Sequence, residues 1–428
     1  MRSRRGPRRT TATRARAISS APSPPAAASR STRAHAPGTR SCTTAATCGC
    51  APRRCATTTT TRDDRGMPPS RRPGIAPIVL ALTVTAVLAL GSCASGAPPP
   101  VSDVQAQSGE ENPGSPLEVA VRERLVTLSG DYAVAVRELT GEQRQLSIRG
   151  AEPREPASVI KLFAAYAALD RVDRGALSLD DAVRSGVSVD DCLRAMIVIS
   201  DNNCHWELVD LLGEQSLRAQ FAREGYPTTT YPDGYGDDAA NPAKLTSADD
   251  LALLLARLHA GELLSAESSS LLLDLMATQI YRQRAPSGVP VNAAVVDKPG
   301  LLAVDDGLVN TDAAIVSTDD GTYVITIMGQ GGTTNWALAE ITRTVHESLY
   351  GPVEAVSEFP ALGLEAVRDT RRFASPGEGP IGDVDAGTRL GVLWSERLWV
   401  YVTEDAALEL DDPNAYWVHL DDLRSIYD

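Results

Sequence analysis

The chain writes almost every positive charge as arginine: of its 41 basic residues only Lys161, Lys244 and Lys298 are lysine. One of the three stands in the stretch EPASVIKLFAAYAALD, three residues after Ser158. If Ser158 opens a helix there, the two side chains share one face, a turn apart. The serine then sits where backbone N–H groups are unpaired and the helix dipole favours negative charge. A serine hydroxyl is a weak nucleophile until a neighbouring base takes its proton. Lysine can be that base once burial and nearby charges lower its pKa, whereas arginine stays protonated and cannot. Taken alone, such a pair is more often a helix-capping serine beside a surface lysine.

Two further stretches follow in order. Ser200-Asp201-Asn202 comes 42 residues after Ser158, behind the apolar segment AMIVIS. Lys298-Pro299-Gly300 comes 98 residues after Ser200, in the strand-like run VVDKPG. Separately these are a helix cap and a turn. Together they resemble the S-x-x-K, S-D-N and K-T-G set of class A β-lactamases and penicillin-binding proteins, and two of the three lysines fall on the motif lysines. YRQRAPSGVP before the Lys298 run and TDAAIVSTDDGTYVITIM after it extend the resemblance, which covers residues 117 to 350. It implies that Ser158 is the acylated nucleophile and Lys161 its base or part of the proton relay. Ser200 would pass a proton to the leaving nitrogen. Asn202 would hold the substrate amide and contact Lys161. Lys298, in one motif with Gly300, would attract the substrate carboxylate. The backbone N–H groups of Ser158 and Leu301 would form the oxyanion hole. No metal and no cofactor are implied, and the substrate would be a small-molecule β-lactam or a peptidoglycan peptide.

The pattern breaks in two places. Class A β-lactamases carry a glutamate, in an E-x-x-L-N loop, that activates the deacylating water. The corresponding interval here, YPTTTYPDGYGDDAANPAK at residues 226 to 244, has no glutamate. Asp233, Asp237 and Asp238 are the carboxylates in that region, each one methylene shorter, and a base must come within hydrogen-bond reach of its water. Beside Gly234 and Gly236 they read better as turn residues. Glu224, ending the preceding helix, is expected in solvent. Pro299 replaces the motif threonine, which removes a hydroxyl and a backbone donor that a strand can spare only at an edge or irregularity. Three readings stand: a serine hydrolase of the β-lactamase type with slow deacylation, a relative acting on cell-wall peptides, and a non-catalytic module binding peptidoglycan or antibiotic. The intact Ser158, Lys161, Ser200 and Asn202 argue against the third.

The elements that must position these residues begin well inside the chain. Residues 1 to 92 hold 16 arginines and two acids, so the remainder carries 25 basic against 53 acidic residues, a net charge of −28. So acidic a body repels nucleic acid and anionic surfaces. Residues 1 to 66, low in complexity and rich in Arg, Thr and Ala, read as a start-site over-extension or a disordered leader. Residues 67 to 92 begin at Met67, carry Arg71 and Arg72, and run into an apolar segment ending LGS before Cys93, the anatomy of a secretory signal. LGSC resembles a bacterial lipobox, which implies lipidation of Cys93 and an extracytoplasmic protein anchored to the membrane. The alternative is a transmembrane anchor with an incidental cysteine. Residues 93 to 116 form a Pro/Gly/Ser-rich linker.

Beyond it the spacing predicts a helix, two strands, the helix of Lys161, several more helices, three strands and a closing helix. Strands at both ends with helices between imply an α+β fold, one antiparallel sheet built from both ends with an inserted helical region. Residues 351 to 428 carry short strands rich in Trp and Tyr, either a small β-module resembling a bacterial SH3-like domain or an extension packed on the main domain. We expect a monomer. Cys192 and Cys204 flank Ser200-Asp201-Asn202 and, in an oxidising compartment, are either a disulfide or two buried thiols.

Overall fold

A computed structural model describes residues 114–235 and 244–428. The leader, the signal segment, Cys93, nearly all of the linker, and Asp237 and Asp238 lie outside the described residues.

The main body starts with α1 (Pro116–Val126), capped by the Ser115 hydroxyl, and the hairpin of β1 (Asp131–Glu138) and β2 (Gln145–Ile148). A helical region follows: α2 (Lys161–Asp173), α3 (Val189–Val198), α4 (Asn202–Leu212), α5 (Glu214–Glu224), α6 (Ala248–His259) and α7 (Ala266–Ala277). The chain then returns through β3 (Ala294–Val304), β4 (Gly307–Thr318) and β5 (Gly321–Gln330) and closes with α8 (Asn335–Tyr350). The five strands form one sheet in the order β2-β1-β5-β4-β3, with every neighbour antiparallel. The first and last strands of the main body therefore meet at the β1–β5 ladder, and β3 is left at the edge.

The sheet separates two apolar layers. Leu117 and Val121 of α1 pack with Leu338, Ile341 and Val345 of α8 beneath one face. The helical region covers the other, with α2 at its centre. All but three residues of α2 are buried, as a helix that is apolar on every side requires. Phe163 meets the rings of Phe221 and Tyr226 edge-on, each at 5.1 Å, the arrangement that the ring quadrupoles favour. This packing fixes the start of α2, and Lys161 is its first residue.

Residues 351–428 add a second antiparallel sheet: β6 (Leu364–Ala366), β7 (Thr370–Phe373), β8 (Pro380–Val384), β9 (Arg389–Glu396), β10 (Trp399–Thr403), β11 (Tyr416–His419) and β12 (Leu423–Ser425), in the order β12-β6-β9-β10-β11-β7-β8. It packs on the helical region. Its buried Leu390, Val400, Val402 and Val418 belong to the same apolar cluster as α2, α3 and α4.

Candidate active site

Ser158 does not open α2 itself. It lies in a 3-10 turn, Ala157–Ile160, that runs directly into the helix. Ala157 holds φ +51°, a left-handed conformation costly for a side-chain-bearing residue. Its N–H donates to the Glu155 carboxylate at 3.0 Å. Across the turn lies β3. A Cβ on Gly300 would fall 2.6 Å from the Ser158 nitrogen and 2.4 Å from Thr311 Oγ1, so only glycine lets the strand approach the turn this closely. Thr311 Oγ1 donates to the Pro156 carbonyl at 2.9 Å and ties the same turn to β4. The Ser158 N–H, the half-buried Ser158 side chain and the exposed Leu301 are thus gathered at the β3 edge. Pro299 stands on that edge strand, where a missing donor is tolerated.

The connection between α3 and α4 supplies the opposite wall. Cys192 and Cys204 are joined as a disulfide, so the two helices that flank the connection are tied together. Between them Ser200 takes φ +62°. Asp201 caps α4, its Oδ1 accepting from the Cys204 N–H at 2.6 Å. The cap leaves Ser200 and Asn202 facing Lys161. Lys161 Nζ donates to Asn202 Oδ1 at 2.8 Å, to Ser200 Oγ at 3.2 Å and to the Ser200 carbonyl. Lys298 Nζ donates to the same Ser200 Oγ at 2.9 Å and to the Pro299 carbonyl at 3.0 Å. One hydroxyl is therefore held between two buried lysines.

The electrostatics follow from that crowding. Lys161 is buried and its pKa lies well below the ordinary lysine value; burial is the main cause, repulsion from Lys298 and Lys244 adds to it, and the Asp201 carboxylate opposes it. Lys298 is pulled down to about 7, chiefly by burial, against the opposing pull of Asp297. Desolvation disfavours the charged form of an amine, and a neutral lysine can accept a proton. The arrangement places Ser200 Oγ between two lysines, a path by which a proton can pass from one to the other.

Lys244 is the third lysine, and it also faces the site. It pairs with Glu155 at 2.6 Å and lies over the Tyr235 ring. Neither Lys244 nor Glu155 was among the expected site residues. The scarcity of lysine in the chain was the available signal for Lys244; nothing comparable marks Glu155. The segment 226–235 also brings Tyr231 and Tyr235 around buried His205. Tyr231 Oη bonds His205 Nε2 at 2.9 Å and donates to the Ile160 carbonyl at 3.1 Å. Burial and the three lysines hold His205 well below its usual pKa. Asp233, expected as a possible deacylating carboxylate, is instead exposed and paired with Arg218 at 2.5 Å. A carboxylate left in solvent beside a surface guanidinium avoids the desolvation that burial in the site would impose. Glu224 is not free in solvent, since it accepts from the Tyr166 hydroxyl at 2.7 Å.

Several solved structures are similar to this chain. The ancestral class A β-lactamase GNCA is similar at 24% identity, over 54% of this chain and 99% of that one, with a TM-score of 0.49. PBP-A is similar at 23% identity, over 54% of this chain and 95% of that one, with a TM-score of 0.50. A mutant of PBP-A, similar to the same degree, is known as an acyl-enzyme complex with penicillin G. None of the curated proteins matches the chain. The model of the β-lactamase enzyme family matches residues 116–349. That span, more than half of the sequence, runs from the first residue of α1 almost to the end of α8 and takes in the whole site. The chain belongs to the β-lactamase enzyme family.

Proposed function

We propose that this protein is a serine hydrolase that opens β-lactams by forming an acyl-enzyme on Ser158 and releases the product slowly. The observation that carries the reading is the convergence of Lys161 and Lys298 on Ser200 Oγ. Neutral Lys161 takes the Ser158 hydroxyl proton as Oγ attacks the lactam carbonyl. The Ser158 and Leu301 N–H groups receive the oxyanion. As the C–N bond breaks, Ser200 gives its proton to the leaving nitrogen and is reprotonated from the lysines on either side. Asn202 holds the substrate amide, and Lys298 in its charged form attracts the carboxylate.

Release needs a second base for water. Asp233, the one candidate among the described residues, pairs with Arg218, and residues 226 to 244 hold no glutamate; both support a long-lived acyl-enzyme, since general-base assistance is worth about 10²- to 10⁴-fold. The test is incubation with a labelled penicillin, with attachment and loss of label followed by intact-protein mass spectrometry. A burst of one product per site and then a much slower steady state is expected. Ser158→Ala should abolish labelling, and Lys161→Arg should slow it by about 10²-fold or more, because arginine cannot accept the proton. Fast turnover without a burst would show that another group activates water. Absence of any label would favour a cell-wall peptide as substrate, or a binding role.

The reading includes export and a lipid anchor on Cys93, supported by the LGSC sequence behind Arg71 and Arg72. Mass spectrometry of protein taken from its native membrane should find a diacylglyceryl cysteine at the mature N-terminus. A mature N-terminus upstream of Met67 would refute it.

A further inference from the structure

Asp201 has two carboxylate oxygens, and the α4 cap uses only Oδ1. Its Oδ2 accepts two hydrogen bonds from the second sheet: the Ser395 hydroxyl at 2.7 Å and the Arg397 backbone N–H at 3.0 Å. The same hairpin reaches α4 a second time. Arg397 Nε and Nη2 both donate to Glu207 Oε1, at 2.8 and 2.5 Å. Glu207 is buried, and its other oxygen holds the Ser185 hydroxyl and N–H. A third tie joins Arg194 of α3 to Asp421. These ties meet the two helices that the disulfide joins and that flank Ser200.

The hairpin is built for this contact against its own preference. Glu396 pairs with Trp399, so Arg397 and Leu398 form a two-residue loop. Arg397 takes φ +60° at the first central position, where such turns favour glycine. A strained side-chain-bearing residue persists where its surroundings over-determine it. Here its N–H is spent on Asp201 and its guanidinium on Glu207. The family model ends at residue 349, so the hairpin lies outside the span shared with the family.

We propose that the C-terminal sheet is a working part of the active site, with Ser395 and Arg397 as positioning residues that fix Asp201 and, through it, Ser200 and Asn202 against Lys161. The inference rests on the acyl-enzyme reading for its catalytic consequence, and the positioning itself can be measured without it. Ser200 sits in a left-handed conformation that the chain does not prefer, so the neighbouring cap must be held from outside. A misplacement of about 1 Å at a positioning residue can cost about 10²-fold in rate.

The electrostatics point the same way. Burial raises the pKa of the Asp201 carboxyl, and the Cys204 N–H, the Ser395 hydroxyl, Lys161 and the Arg397 N–H pull it back; the Tyr281 hydroxyl also faces it. Lys161 is faced by Lys298, Asp201, Lys244 and His205, and by the uncharged Ser200 and Asn202. Losing the Ser395 donor raises the Asp201 pKa further. An Asp201 that ionises less readily supports the charge on Lys161 less, so the Lys161 pKa falls. The acid limb of acylation, which follows loss of the Lys161 proton, then moves to lower pH.

The test is the double variant Ser395→Ala, Arg397→Gly in the full chain. Glycine suits the turn, so the hairpin should still form while the guanidinium and hydroxyl contacts are lost. The control is Glu365→Gln, which breaks the pairs to Arg389 and Arg424 in the same sheet without touching Asp201. We expect acylation by the labelled penicillin to fall about tenfold or more in the double variant, with its acid limb moved to lower pH, and to be unchanged in the control. Hydrogen–deuterium exchange should show faster exchange at residues 200–204 in the double variant alone. Equal loss in both variants would mean a merely structural role and would overturn the proposal, as would an unchanged rate and exchange in the double variant. If the parent protein takes no label, the acyl-enzyme reading fails, and the exchange at 200–204 alone decides for or against the positioning role.

Discussion

In the proposed mechanism Lys298 has to be charged to draw in a carboxylate, and Lys161 has to be neutral to accept the Ser158 proton. Their burial gives the two requirements opposite pH dependences. Lys298, pulled to about 7, is protonated below that pH and loses its charge as the pH rises through it. Lys161, lowered well below its ordinary value, becomes a base as the pH rises through its own pKa. The second-order acylation rate reports groups of the free enzyme. It should therefore be bell-shaped for a carboxylate-bearing β-lactam, with a basic limb above about pH 7 that is weaker for the corresponding ester. Rates that stay flat between about pH 6 and about pH 9 would contradict these assignments. In the proposed mechanism arginine at position 161 could not accept the proton at any pH, whereas arginine at position 298 would keep its charge and remove the basic limb.

At the scale of elements, the site depends on how closely the β3 edge meets the 3-10 turn of Ser158. Gly300 sets that approach. In Gly300→Ala the new methyl would meet the Ser158 nitrogen, Thr311 Oγ1 and the Pro156 carbonyl, none of which is the loose end of a flexible side chain. Overpacking of this kind typically costs about 1–3 kcal/mol. In the proposed mechanism this turn carries both the nucleophile and one oxyanion donor, so acylation should fall by about 10²-fold or more through displacement of that donor. Chemical denaturation and burst kinetics on the variant would measure the two effects. Unchanged acylation would show that the turn can move without losing its alignment. The opposite wall is held by different means: a disulfide, an aspartate cap and the β9–β10 hairpin all bear on the few residues around Ser200.

For the whole molecule, the second sheet shares its apolar cluster with the helical region. Arg282 adds stacking on Phe359 and Tyr427 from the C-terminal part. Two bodies that bury surface against each other in this way should unfold together. Tryptophan fluorescence, to which Trp394, Trp399 and Trp417 contribute from the second sheet, and loss of Ser158 acylation should give coincident thermal transitions, the mark of a two-state unit. A fluorescence transition well below the loss of acylation would separate the sheet from the site.

The α+β order of elements is legible in the sequence, because hydrophobic period and turn residues are local properties: α8 covers the whole of NWALAEITRTVHESLY, and the turn at Gly141 lies between β1 and β2. The resemblance of three motifs standing in order also singled out Ser158, Lys161, Ser200, Asn202 and Lys298. Tertiary packing settled where Asp233 points: the chain folds back so that it pairs with Arg218 of α5, 15 residues earlier, and no local period encodes that choice. It likewise placed Lys244 and Glu155 beside the Ser158 turn and gave Asp201 its partners in Ser395 and Arg397, almost 200 residues away. No periodicity records such a contact, because it arises from the packing of one finished sheet on another finished body.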